Sequence, residues 1–119
     1  MIMNKFNTTE LDRILQEQDW KRETHRLALI AKTLRWLDDN TLEYGIERAY
    51  LFGSITRPHQ FYPRSDVDLA VESIDSNLHF LAISLLSEHL EREVDIIKLG
   101  NCHFGSQIRE KGILWTPKN

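Results

Sequence analysis

Asp66-Val67-Asp68 is the segment of this chain best suited to chemistry. In an extended strand, side chains at i and i+2 share a face, so both carboxylates project together while Val67, Leu69 and Val71 point the other way. Two carboxylates held ~4 Å apart repel by about 4 kcal/mol at an effective dielectric near 20. A divalent cation removes that repulsion, and Mg²⁺ favours one or two carboxylates completed by substrate phosphates. Asp95, in Val94-Asp95-Ile96, faces away from its apolar neighbours on a later strand. If the two strands are adjacent and in register, three acids converge, a set suited to metal-assisted phosphoryl or nucleotidyl transfer. The third acid could then help to deprotonate an attacking hydroxyl.

Gly53-Ser54 supplies the complementary half. A glycine at a strand end lets backbone approach a phosphate, a helix starting there would aim N–H groups at it, and Ser54 adds a hydroxyl donor. Arg57 and Arg64 lie in a stretch from Arg48 to Ser65 that has no acid, and could balance triphosphate charge. Taken singly, each feature has an ordinary reading: Asp-x-Asp is common, Gly-Ser is a routine turn, and Asp95 is a strand-edge charge. Their order is what narrows the chemistry.

These residues need elements to hold them. Residues 1–45 read as helix: Asn7 and Glu10 resemble a capping box, Leu11, Ile14 and Leu15 form one apolar face, and Gly45 is a stop. Leu27, Ile30, Ala31, Leu34 and Leu37 recur at helical spacing, and Asp38-Asp39-Asn40 either breaks this helix or ends its solvated face. Strands are expected over 48–52, 66–71 and 94–99, with a loop over 55–65 that holds two prolines. A helix is expected over 76–91, with Leu78, Leu81, Ala82, Leu85, Leu86 and Leu90 on its apolar positions. A short helix over 106–110 and the segment Ile113-Leu114-Trp115 close the chain. Alternating helices and strands indicate α/β or α+β built on one sheet.

Composition sets the frame. With 119 residues, 15 Lys plus Arg against 18 Asp plus Glu, and a net charge of −3, one core is expected and a dedicated polycation is not. The longest apolar run, Leu27 to Ala31, is far short of the ~20 residues of a membrane span, and Met1 to Lys5 lacks a signal-peptide pattern. A single cysteine, Cys102, excludes an intrachain disulfide, and a cytoplasmic protein without membrane contact is expected. The five histidines form no metal pair, and Cys102-His103 has no acid partner for catalysis. Lys21, Arg22, Arg26, Lys32 and Arg35 read as a solvated helix face rather than an RNA contact, and Trp20 and Trp36 as packing residues.

Residues 48–115 resemble a minimal nucleotidyltransferase of the DNA polymerase β-like superfamily. Gly53-Ser54, Asp66-x-Asp68 with Ser65 before it, Asp95, and the closing 107–115 stretch carry the resemblance. It departs where the family's arginine-alanine-arginine-glycine is replaced by Ile55-Thr56-Arg57-Pro58, and in a slightly longer loop. The resemblance implies a nucleotidyltransferase fold: a small mixed sheet flanked by helices, one domain over 1–119, with a helical segment 1–45 and a catalytic core 46–119. It also implies Mg²⁺ held by Asp66, Asp68 and Asp95, with Asp95 as ligand or base, and ATP held by Gly53, Ser54, Arg57, Arg64 and Ser65. Small members resemble antitoxins encoded beside HEPN-domain ribonuclease toxins, which implies AMP transfer to a tyrosine of such a partner, without direct nucleic-acid binding. The short chain favours an acceptor that brings its own surface. Transfer to a small molecule, or neutralisation of the toxin by contact alone, are the competing expectations.

Overall fold

The computed structural model describes residues 8–118, so the expected Asn7–Glu10 capping box lies outside the described residues. A long helix, α1 (Thr8–Tyr44), leads into four strands: β1 (Ala49–Phe52), β2 (Val67–Val71), β3 (Val94–Lys98) and β4 (Ile113–Trp115). Between β2 and β3 comes α2 (His79–Leu90), and between β3 and β4 comes α3 (Gly105–Lys111). The sheet order is β3-β2-β1-β4. Strands β1 and β2 are antiparallel, as are β1 and β4, whereas β2 and β3 run parallel through the α2 crossover. This is the mixed sheet flanked by helices that the resemblance implies.

Strand alternation splits the core. Ala49, Leu51, Val67, Leu69, Val71, Val94 and Ile96 pack with α1 and α2 residues such as Leu29, Leu37, Ala82 and Leu86 on one face. On the other, Tyr50 and Ala70 pack with Leu99 and Ile108, and Phe52 and Ile97 border them. Arg109 of α3 holds Glu72, just past β2, with two hydrogen bonds of 2.8 and 2.9 Å. That pair pins α3 over the second face.

Helix α1 runs without a break through Asp38-Asp39-Asn40. The Asp38 carboxylate accepts the Trp115 indole N–H at 2.8 Å, and Asn40 donates to the Trp36 carbonyl, so both polar side chains are used within the fold. The helix ends before Gly45, whose φ of 69° suits a residue without Cβ. Its buried positions are Arg26, Leu29, Thr33, Trp36, Leu37, Thr41 and Tyr44. The expected Leu11-Ile14-Leu15 face is exposed, and so is Leu27, which lies on the side of α1 away from buried Arg26 and Leu29. At 1.5 Å per residue a 37-residue helix is about 55 Å long, which accounts for a molecule of 66 × 28 × 26 Å. Trp36 is buried and stacks on Tyr44 at 5.5 Å, whereas Trp20 is 67% exposed and is not the packing residue expected. The apolar positions of α2 divide in the same way: Ala82, Leu86 and Leu90 are buried, Leu81 and Leu85 exposed.

Candidate active site

The two acid-bearing strands are neighbours, and their register decides the site. Asp68 of β2 pairs directly with Asp95 of β3, and Val67 with Val94. Adjacent strands lie about 4.8 Å apart, and paired residues share a face. Both aspartates therefore face the side of the sheet opposite Val67, Leu69, Val94 and Ile96, all of which are buried. Asp66 lies immediately before β2, exposed like Asp95.

From the other side, β1 delivers the glycine turn. Phe52 pairs with Asp68 across the antiparallel ladder, so the residue after it reaches the Asp68 carboxylate. Gly53 has φ 76°, and a Cβ placed there would stand 2.5 Å from Asp68 Oδ2. Glycine is required twice over, for the left-handed backbone and for the close approach. Residues Gly53–Thr56 form one turn of 3₁₀-helix rather than the start of an α-helix. Thr56 Oγ1 donates back to the Gly53 carbonyl at 2.7 Å, and the Arg57 N–H to the Ser54 carbonyl at 3.0 Å.

The electrostatics point to a cation. The Asp68 carboxyl is raised from 3.8 to about 6, first by desolvation, then by the charges of Asp66 and Asp95. A divalent ion would neutralise the mutual repulsion and offset the burial cost, so the donor chemistry fits Mg²⁺. Among the described residues no group of three or more His, Cys, Asp or Glu side chains is placed to hold a metal ion by itself. Asp68 is coupled to Asp95 through register and to both Asp66 and Asp95 through their charges, and Mg²⁺ characteristically takes its remaining ligands from water and phosphate.

Beside Gly53 opens a cleft of about 430 Å³, lined by Phe52, Gly53, Thr56 and Arg57 on one wall and by Phe104, Gln107, Ile108 and Lys111 on the other. Arg57 thus lies with Gly53, as expected. Lys111 and Gln107, from the closing stretch but not expected at the site, and Phe104 join them; a cation and an amide four residues apart on a short helix are too common a signal to read unaided. Arg64 and Ser65 lie elsewhere, beside Asp66 and Arg92 in a separate hollow. The Ser65 hydroxyl accepts the Tyr62 N–H at 2.9 Å and its carbonyl accepts Arg92 Nε at 2.9 Å, so this serine closes the loop ahead of Asp66.

Among the described residues, no helix is long and apolar enough to cross a membrane. Residues 37–118 match the family model for polymerase beta, nucleotidyltransferase. No curated protein sequence matches the chain significantly. A crystal structure of a toxin-antitoxin with AMP-PNP is similar in fold, with a TM-score of 0.57 at 24% identity over 75% of this chain and 73% of that one. A crystal structure of the toxin-antitoxin MntA-HepT has a TM-score of 0.53 at 22% identity, over 77% of this chain and 73% of the other.

Proposed function

The chain belongs to the polymerase beta nucleotidyltransferase family, and from that premise we propose that it transfers AMP from ATP to a tyrosine hydroxyl of a HEPN-type toxin, acting as its antitoxin. The observation that carries the reaction is the in-register pairing of Asp68 with Asp95 beside the Gly53 turn. Support for a toxin partner comes from the toxin-antitoxin complexes of similar fold, one of which holds AMP-PNP.

In this reading Asp66 and Asp68 would hold Mg²⁺, and Asp95 would serve as a further ligand or as the base. When bound, the ion neutralises phosphate charge and polarises the α-phosphoryl group. Gly53 and Ser54 bind phosphate oxygens through backbone and hydroxyl donors. Arg57 and Lys111, on opposite walls of the cleft, counter the remaining triphosphate charge. Asp95, exposed and in register with Asp68, takes the proton of the acceptor hydroxyl. The hydroxyl oxygen bonds to the α-phosphorus as the bond to the bridging oxygen breaks, and pyrophosphate leaves.

The test incubates the protein with α-labelled ATP, Mg²⁺ and the toxin encoded beside it, comparing wild type with Asp66→Asn/Asp68→Asn. Label on the toxin, lost in the double variant and in a toxin whose acceptor tyrosine is phenylalanine, is the expected result. Protection by the double variant without label transfer would replace this reading with neutralisation by contact.

A further inference from the structure

Helix α1 grips the loop that follows the glycine turn, and it does so through a buried cation. Arg26 is only 6% exposed. Its Nε and one terminal nitrogen donate to both oxygens of Glu23 at 2.9 and 3.1 Å, and the other terminal nitrogen donates to the Ile55 carbonyl at 2.8 Å. Ile55 is fully buried and sits inside the Gly53–Thr56 turn. The same Glu23 carboxylate accepts the backbone N–H of His59 at 2.8 Å. One turn earlier on α1, Asp19 meets His59 Nδ1 at 2.7 Å. His59 has φ 66°, a left-handed backbone uncommon outside glycine, held here by the Glu23 and Asp19 contacts. The far end of the loop is strapped by Arg92, which donates to the carbonyls of Ser65 and Tyr62 and covers the Phe61 ring at 4.4 Å.

Those straps bracket residues that the cleft uses. Gly53, Thr56 and Arg57 line it, and the Ile55 carbonyl lies between them. The sequence here is Ile55-Thr56-Arg57-Pro58, and the turn's own side chains offer one cation and no further glycine. A lysine at position 26 could not reproduce the arrangement, since a point ammonium lacks the fork that serves a carboxylate and a carbonyl together.

We propose that Arg26 is a positioning residue for nucleotide binding: through Glu23 and the Ile55 carbonyl, α1 holds the Gly53–Arg57 segment in its nucleotide-accepting shape before the nucleotide arrives. This rests on the nucleotidyl-transfer reading above. Binding then avoids the entropy of ordering the loop, and the benefit falls on affinity rather than on the chemical step.

The experiment compares wild type, Arg26→Lys, Glu23→Gln and, as a control on the exposed part of the same helix, Arg13→Lys. Two quantities are read on the full chain: amide hydrogen exchange over residues 53–60 and the Kd of MgATP by calorimetry. Arg26→Lys is expected to speed exchange in that segment while β2 stays protected, and to weaken MgATP about tenfold, as loss of a charged hydrogen bond would. Its rate at saturating ATP should stay within about threefold of wild type. Glu23→Gln should fall between, and Arg13→Lys should match wild type. Unchanged MgATP affinity in Arg26→Lys, with wild type binding normally, overturns the positioning role alone. A wild-type chain that takes up no MgATP overturns the nucleotidyl-transfer reading and this inference together.

Discussion

Replacing Asp68 by Asn should make the Mg²⁺-free protein more stable while abolishing nucleotidyl transfer. The Asp68 carboxyl titrates near 6 in the folded chain against an ordinary 3.8, because burial and the charges of Asp66 and Asp95 oppose its ionisation. Over that interval the folded state holds a proton that the unfolded state has released, so stability falls as pH rises from about 4 to about 6 and is constant above. The full displacement corresponds to about 3 kcal/mol. The side chain is only half-buried, and solvent screening reduces this to roughly 1 kcal/mol. Equilibrium urea unfolding without metal should therefore show Asp68→Asn ahead of wild type by about 1 kcal/mol at pH 7.5, or roughly 3–5 °C in Tm. The two should converge below about pH 3, where Asp68 is protonated in both states. Adding MgATP should reverse the ranking, since a ligand bound by the folded state raises the stability only of the chain that binds it. An Asn variant that is less stable at pH 7.5, or whose gain persists unchanged at about pH 3, would refute the repulsion argued here.

Gly53→Ala should cost about 1–3 kcal/mol for its left-handed backbone and displace Asp68 enough to suppress transfer; in an Asp68→Ala background the urea-unfolding penalty should shrink by about 1 kcal/mol, because the 2.5 Å approach is gone. Glu23, lowered from 4.5 to about 2 chiefly by its hydrogen bond to Arg26, contributes stability above pH 4.5 that is lost as pH falls towards 2. The gap between wild type and Glu23→Gln in acid titrations followed by circular dichroism should close over that window. Trp36→Ala should cost about 3–5 kcal/mol by urea unfolding, whereas Trp20→Ala should stay within about 0.5 kcal/mol, matching their opposite exposure.

Asp68 is legible in sequence because strand alternation marks it: Val67, Leu69 and Val71 bury one face and Asp68 falls on the other, while Asp66 lies just ahead of the strand. Pairing of Asp68 with Asp95 is not encoded locally, since register depends on where α2 returns the chain. Arg26 read as one cation among several on a solvated helix face. Its burial rests on a carbonyl 29 residues away, which helical periodicity cannot see. Thr33 is likewise buried with its hydroxyl donating to the Leu29 carbonyl, while Leu27 is exposed, so the face α1 buries is set by what lies beneath it. Ser65 showed the reverse limit: beside Asp66 in sequence, its hydroxyl is committed to Tyr62.

The parallel register of β2 and β3 also makes the site a proofreading device for folding. A slip of one residue would turn Asp95 towards the helices and push Val94 and Ile96 out into water. Burying an unpaired carboxylate costs far more than the sheet could recover. The apolar alternation that closes the core therefore selects the one alignment in which the acids meet, and a misaligned chain would lose stability and acid pairing together.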